Sequence, residues 1–149
     1  MPVALSHELH KLTARLDRAA DGLLRRHAEV SYSRFLALFA VSEGAVSQRE
    51  LARWLGQTEP STSRMVGVLA RQGLLSAITV PGAGNRRHLQ LTETGADLVD
   101  RCGRLLERRF EELVERSGVS YASYQDHTRR LLNQLDADQQ APPEALAAV

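Results

Sequence analysis

Residues 49–73 read Arg49-Glu-Leu-Ala-Arg-Trp-Leu-Gly56-Gln-Thr58-Glu-Pro60-Ser-Thr-Ser-Arg64-Met-Val-Gly-Val-Leu-Ala-Arg71-Gln-Gly73. Just upstream, Ser47 with Glu50 three residues later forms a Ser-x-x-Glu capping box, which starts a short helix that Gly56 stops. Thr58 then caps a second helix, with Pro60 in the first turn, where a missing N–H costs little. On that helix Thr62, Val66 and Leu69 share one face by their i, i+4, i+7 spacing, and Ser61, Arg64, Val68 and Arg71 share the other. The opening turn carries no charge but Glu59, and its outward side chains are small hydroxyls and one arginine. A helix made only for a core has no need of Ser61, Ser63 and Arg64 so close together. Gly73 ends the helix with a left-handed residue. The pattern is that of a helix-turn-helix, a unit suited to lying in the major groove of DNA.

Outward from this stretch, the period changes. Ser76–Val80 and Arg87–Leu91 alternate as strands, and Pro81-Gly-Ala-Gly-Asn85 between them is a turn-forming cluster, so a β-hairpin follows the helix pair directly. Thr92 caps a long helix to about Ser117, striped by Leu98, Cys102, Leu105 or Leu106, Phe110 and Leu113. Ser120 caps a last helix striped by Tyr121, Tyr124, Thr128, Leu131 and Leu135. On the N-terminal side, Leu5, Leu9, Leu12, Leu16 and Leu23 mark an amphipathic helix to about His27. Tyr32 to Ser42 reads as a core helix, apolar on most sides, that Gly44 ends. The expected fold is mainly α with a small β-hairpin wing: a winged helix-turn-helix flanked by long dimerisation helices. One domain spans 1–136, with the winged lobe at about 31–92 and dimerisation helices at about 5–29 and 92–136. Residues 137–149, rich in Gln, Pro and Ala, read as a flexible tail.

The composition sets outer limits. At 149 residues, 43% hydrophobic and 25% charged, the chain fits one ordinary globular domain. It carries neither an apolar run long enough to span a bilayer nor the pattern of a secretory signal. With one cysteine and no leader, a cytoplasmic protein is expected. Net charge is only +1. Between Ser42 and Thr92, however, six arginines (Arg49, Arg53, Arg64, Arg71, Arg86, Arg87) face three acids (Glu43, Glu50, Glu59), a local excess on the half expected to meet DNA.

Five stretches in order carry a family resemblance: Phe35-Leu-Ala-Leu38, Leu51-Ala-x-x-Leu-Gly56, Ser61-Thr-Ser-Arg-Met-Val66, Leu69-Ala-Arg-Gln-Gly-Leu-Leu75 and Leu91-Thr-x-x-Gly95. Together they resemble the MarR family of bacterial winged helix-turn-helix transcriptional regulators. The most specific of them is the Leu-Thr-x-x-Gly after an arginine-bearing hairpin. The resemblance implies a homodimeric repressor on a pseudo-palindromic double-stranded operator, released by a small anionic aromatic ligand. Two positions depart from the family's habit. Asn85 stands before Arg86 and Arg87, where an Asp often pairs with the wing arginine, and Thr62 stands where an aliphatic residue is usual.

The residues expected at DNA are Gln57, Thr58, Ser61, Thr62, Ser63, Arg64, Arg86 and Arg87. Arg64 has the fork that binds guanine O6 and N7, and Arg86 and Arg87 suit a narrow minor groove. The apolar stripes exceed what one winged lobe can bury, so a two-fold dimer is expected, reading half-sites about 10–10.5 base pairs apart. The ligand crevice that the resemblance implies would draw on His27, Tyr32, Arg34 and Phe35, each equally at home in helix packing.

Cys102 is either a redox sensor or a buried structural thiol, and its place on an apolar stripe favours the thiol. His7 and His10, at i and i+3 with Glu8 beside them, lack the third ligand that zinc requires. Neither a nucleophile with a positioned base nor a phosphate-cradling loop occurs in a convincing context, so no enzyme activity, catalytic residue, metal or cofactor is expected. The alternative function is a winged-helix module for protein–protein contact. Only a DNA binder should lose affinity steeply as salt rises.

Overall fold

The computed structural model describes residues 4–82, 84 and 86–140. The elements follow the expected order: α1 (Leu5–Ala28), α2 (Tyr32–Ser42), α3 (Gln48–Leu55), α4 (Glu59–Arg71), β1 (Leu75–Thr79), β2 (Arg87–Leu91), α5 (Glu93–Arg116) and α6 (Tyr121–Gln140). They form two compact units, one through Leu106 and one from Glu107 onward, the boundary falling inside α5.

The first unit is built around one core to which six elements each send a fully buried side chain: Leu24, Leu38, Leu51, Leu69, Leu89 and Cys102. Each leucine buried this way is worth about 1.5–3 kcal/mol. Helix α2 runs through the middle of that core, which explains its nearly all-round apolar sequence. Tyr32, Phe35, Phe39 and Trp54 form an aromatic row along it, with successive ring centroids 6.2, 5.9 and 6.1 Å apart.

Local signals behave as their chemistry requires. The Ser47 hydroxyl accepts from the Glu50 amide at 3.1 Å, and the Glu50 carboxylate reaches back to the Val46 amide at 2.9 Å, one residue beyond the usual capping box. Helix α4 ends in a Schellman motif: the Gly73 amide donates to Ala70 O and the Leu74 amide to Leu69 O, both at 3.0 Å, with Gly73 at φ 71°. The hairpin is antiparallel, pairing Leu75 with Leu91 and Thr79 with Arg87. Strand β1 therefore begins one residue before the expected Ser76, because Leu75 is 2% exposed and belongs to the core. A further bond, Leu89 N–H to Val46 O at 2.8 Å, ties β2 to the segment before α3 and fixes the wing to the helix pair.

Thr92 joins three elements. Its hydroxyl donates to Gly73 O at 2.6 Å and accepts from the Gly95 amide at 3.0 Å, and its own amide donates to Leu74 O at 3.2 Å. Gly95 lies so close to that strand entry that an added Cβ would stand 1.9 Å from Leu74 O. These contacts explain the Leu-Thr-x-x-Gly stretch: the threonine caps α5 while holding the end of α4, and the glycine lets the two backbones meet.

The long stripes are only partly buried. On α1, Leu24 enters the core, one position from the expected Leu23, while Leu5 stays 68% exposed and Leu9 and Leu12 are exposed as well. Only the C-terminal end of α1 has α2 to pack on. On α5, Val99 and Cys102 are buried and Leu98 is half-buried, so the core face is broader than the stripe that the sequence suggested. In the second unit Phe110 takes Tyr121 and Tyr124 edge-on, with centroids 6.3 and 6.2 Å away. Val114, not the expected Leu113, is buried, and Leu131, Leu132 and Leu135 of α6 are exposed.

Helix α6 continues to Gln140, past Asp136, where the sequence suggested the tail. Its last turns consist largely of good helix formers, and Gln134 Nε2 donates to Asp138 Oδ1 at 2.8 Å. The rest of the expected tail, 141–149, and Asn85 of the hairpin lie outside the described residues.

The Gly95→Ala variant is expected to lower stability by about 1–3 kcal/mol, because backbone rather than a movable side chain fills the space of the new methyl. A urea-unfolding midpoint equal to that of the unaltered chain would contradict the close approach.

Candidate nucleic-acid interface

The turn between α3 and α4 is three residues long, and Gln57 in it is exposed, with its amide donating to Ala52 O at 2.9 Å. Thr58 caps α4: its hydroxyl accepts from the Ser61 amide at 3.3 Å. From there the 3.6-residue period sorts the side chains. Thr62, Val66 and Leu69 point into the core, whereas Ser63, Arg64 and Arg71 are exposed and Ser61 is half-exposed.

Thr62 corrects the sequence reading. It is 0% exposed and cannot meet DNA. Its hydroxyl donates to Thr58 O at 3.0 Å, the same carbonyl that takes the Thr62 amide. A threonine can replace the usual aliphatic residue here because its polar atom is satisfied inside its own helix.

Concave surfaces flank α4 on both sides. On the hairpin side an open concavity of about 1080 Å³ brings Ser63 together with Arg49 and Arg53 of α3 and with Arg86 and Arg87 of the hairpin. Arg87 sits opposite Thr79 at the end of the ladder, on the same strand face as buried Leu89, which turns it toward α3 and α4. Among the described residues Arg86 and Arg87 make no ion pair, whereas Arg49 lies 3.9 Å from Glu59, an exposed pair that adds little to stability. On the other side a smaller concavity, about 420 Å³, brings Ser61 and Arg64 together with Arg25 and Arg34.

Four arginines in these surfaces, Arg25, Arg34, Arg49 and Arg53, are absent from the DNA contacts read off the sequence. Arg49 and Arg53 stood in the sequence as a local charge excess. Arg25 lies outside the helix-turn-helix, and only the fold carries it there. Asp21 organises that edge, accepting from the Tyr32 amide at 2.9 Å and from Arg25 Nε at 2.7 Å. These two bonds hold its carboxyl below the usual carboxylate range. The stability they bring is present above the ordinary aspartate pKa and is lost as pH falls through the depressed value.

The residues that the resemblance offered for a ligand crevice differ in burial. His27 is exposed, Phe35 is 5% exposed within the core, and Tyr32 is half-buried against Phe35. Burial first, and the Asp17 charge second, raise the Tyr32 phenol above its ordinary range and keep it neutral. Arg34 lines the concavity shared with Arg64. Cys102 is 2% exposed, and burial pushes its thiol up, which suppresses the thiolate that a redox sensor needs. No helix among the described residues is long and apolar enough to cross a membrane.

A helix pair bearing an antiparallel hairpin, with the second helix offering hydroxyls and an arginine, defines a winged helix-turn-helix protein. Residues 28–87, which hold α2 to α4 and the first hairpin strand, match the model of the MarR family. Over that stretch the chain is similar to MarR-family regulators.

Solved structures agree on the fold. Wild-type MarR from E. coli in its apo form is 19% identical, covering 91% of this chain and 98% of that one, with a TM-score of 0.74. A MarR mutant from E. coli complexed with operator DNA is 19% identical over 89% of this chain and 94% of that one, with a TM-score of 0.72. The MepR–DNA complex of S. aureus is 20% identical over 90% of this chain and 96% of that one, with a TM-score of 0.67. No curated protein matches the chain by sequence.

Thr62→Val is expected to leave the urea-unfolding free energy within about 1 kcal/mol of the unaltered chain, since the Thr58 carbonyl keeps its amide partner. A loss of several kcal/mol would show that the hydroxyl supports more than its own helix.

Proposed function

We propose that the chain is a sequence-specific double-stranded DNA-binding transcriptional regulator that acts as a homodimer. The observation that carries this reading is α4 itself, which buries Thr62, Val66 and Leu69 while leaving Arg64 exposed and Ser63 beside the hairpin arginines. In this reading α4 enters the major groove, and Arg64 donates two parallel hydrogen bonds to a guanine edge. Ser61 and Ser63 reach bases or phosphates, Gln57 touches backbone, and Thr58 stays a cap next to a phosphate, where the helix dipole adds its attraction. Arg86 and Arg87 follow the hairpin to the minor groove.

The exposed leucines of α1 (Leu5, Leu9, Leu12) and α6 (Leu131, Leu132, Leu135) support dimerisation. Apolar stripes of this length on a chain this small call for a second copy. A two-fold dimer then reads a pseudo-palindromic operator. The regulator is a repressor in this reading, released by a small anionic aromatic molecule. That last part rests on the family resemblance alone. The MarR mutant solved with operator DNA and MepR solved with DNA are the relatives that make a duplex the partner to test.

Selection from a random duplex pool followed by gel-shift titration tests the reading. A consensus with two-fold symmetry is expected, and Arg64→Ala should weaken binding to it by about 1–3 kcal/mol. No enrichment from the pool, or unaltered affinity of that variant, would overturn the assignment. In sedimentation at micromolar concentration the species should have twice the 16.5 kDa chain mass; a monomer would contradict the dimer.

A further inference from the structure

We propose that the concavity between the end of α1, the start of α2 and α4 seats a backbone phosphate of duplex DNA, with Arg34 as its principal cation. This rests on the DNA-binding reading above and adds to it a contact on the side of α4 away from the hairpin. Three guanidinium groups, Arg25, Arg34 and Arg64, line the surface with Ser33 and Ser61, and one carboxylate, Glu29, opposes them. Asp21 takes Nε of Arg25, and the terminal N–H groups of that arginine have no hydrogen-bond partner among the described residues. Neither Arg34 nor Arg64 has an ion-pair partner among the described residues.

The charge here belongs to side chains rather than to a helix end. The Tyr32 amide is taken by Asp21, the Arg34 amide by the Ser31 hydroxyl and the Phe35 amide by Ser31 O. Like charges gathered at one solvent-open surface repel until an anion sits among them.

The shape of DNA selects the anion. The major groove is about 12 Å wide, and a helix with its side chains fills about 10–12 Å, so a helix lying in it has one sugar–phosphate strand along each flank. Helix α4 has an arginine-lined surface along each flank: Arg49, Arg53, Arg86 and Arg87 on one, Arg25, Arg34 and Arg64 on the other. Arg64 stands on the second flank beside Ser61, so it is placed between base edge and strand. Glu29 sets the strength of the contact, since its negative charge repels the same phosphate that the arginines attract.

Salt titrations of the full-length protein, using the duplex selected above and a shuffled duplex of the same length, test this. Arg34→Ala, which removes one phosphate contact from each subunit of the dimer, should weaken binding to both duplexes by at least about tenfold and flatten the plot of log affinity against log salt by about 1.8. Arg34→Lys should restore the slope, and Glu29→Gln should tighten binding to both duplexes alike. Arg64→Ala, by contrast, should lose the preference for the selected duplex.

If Arg34→Ala and Glu29→Gln, both folded by circular dichroism, keep the unaltered affinity and slope while Arg64→Ala loses its preference, the chain reads DNA but holds no phosphate at this site. If Arg34→Ala does not fold, an unchanged affinity of Glu29→Gln alone overturns the proposal. Absence of salt-dependent binding by the unaltered protein overturns the DNA-binding reading, and this one with it.

Discussion

The hydroxyl of Thr92 is the point on which the winged half of the molecule hangs. It donates to the carbonyl of Gly73, which closes α4, and accepts from the amide of Gly95, which opens α5. The hairpin therefore leaves from the end of one helix and returns to the start of another at a single joint. With Leu75 paired to Leu91 at the base and Leu89 bonded to Val46, the wing is held at both of its ends and along one edge. The orientation of α4 relative to the hairpin arginines follows from these bonds. A joint of this kind needs a residue with both a donor and an acceptor at one atom, and a neighbour with no side chain to obstruct it.

Charge on this frame is arranged by flank rather than by total. The chain is nearly neutral overall, yet seven arginines line the two surfaces beside α4. Acidic side chains are present in both, Glu59 against Arg49 on one side and Glu29 among the guanidinium groups on the other. In the DNA-binding reading, attraction to a polyanion is thus local and moderated, which favours discrimination among sequences over indiscriminate adhesion.

Much of this was legible in the sequence because the relevant signals are local. Caps at Ser47, Thr58, Thr92 and Ser120, the stop at Gly73 and the alternation around the hairpin each depend on a few neighbouring residues, and each element except α6, which runs four residues past Asp136, lies within a residue or two of its expected limits. The family resemblance added the connection between them. What the sequence left hidden depends on distance in the fold. Arg25 reaches the α4 flank only because α1 ends beside the start of α2. Thr62 was assigned to two faces at once, the core by period and the DNA by residue type, and period prevailed because a threonine hydroxyl can be satisfied by its own helix. Val99 and Val114 escaped notice because richer leucine stripes ran beside them. Phe35, one of the residues offered for a ligand, packs in the aromatic row of the core.

Fastening the hairpin at its base has a consequence for how such a chain can vary. Among the described residues beyond the Thr79–Arg87 pair none takes part in the joint, so the loop can lengthen, shorten or change composition without moving α4. The span of the wing and the chemistry of the reading helix are separable quantities, open to change one at a time.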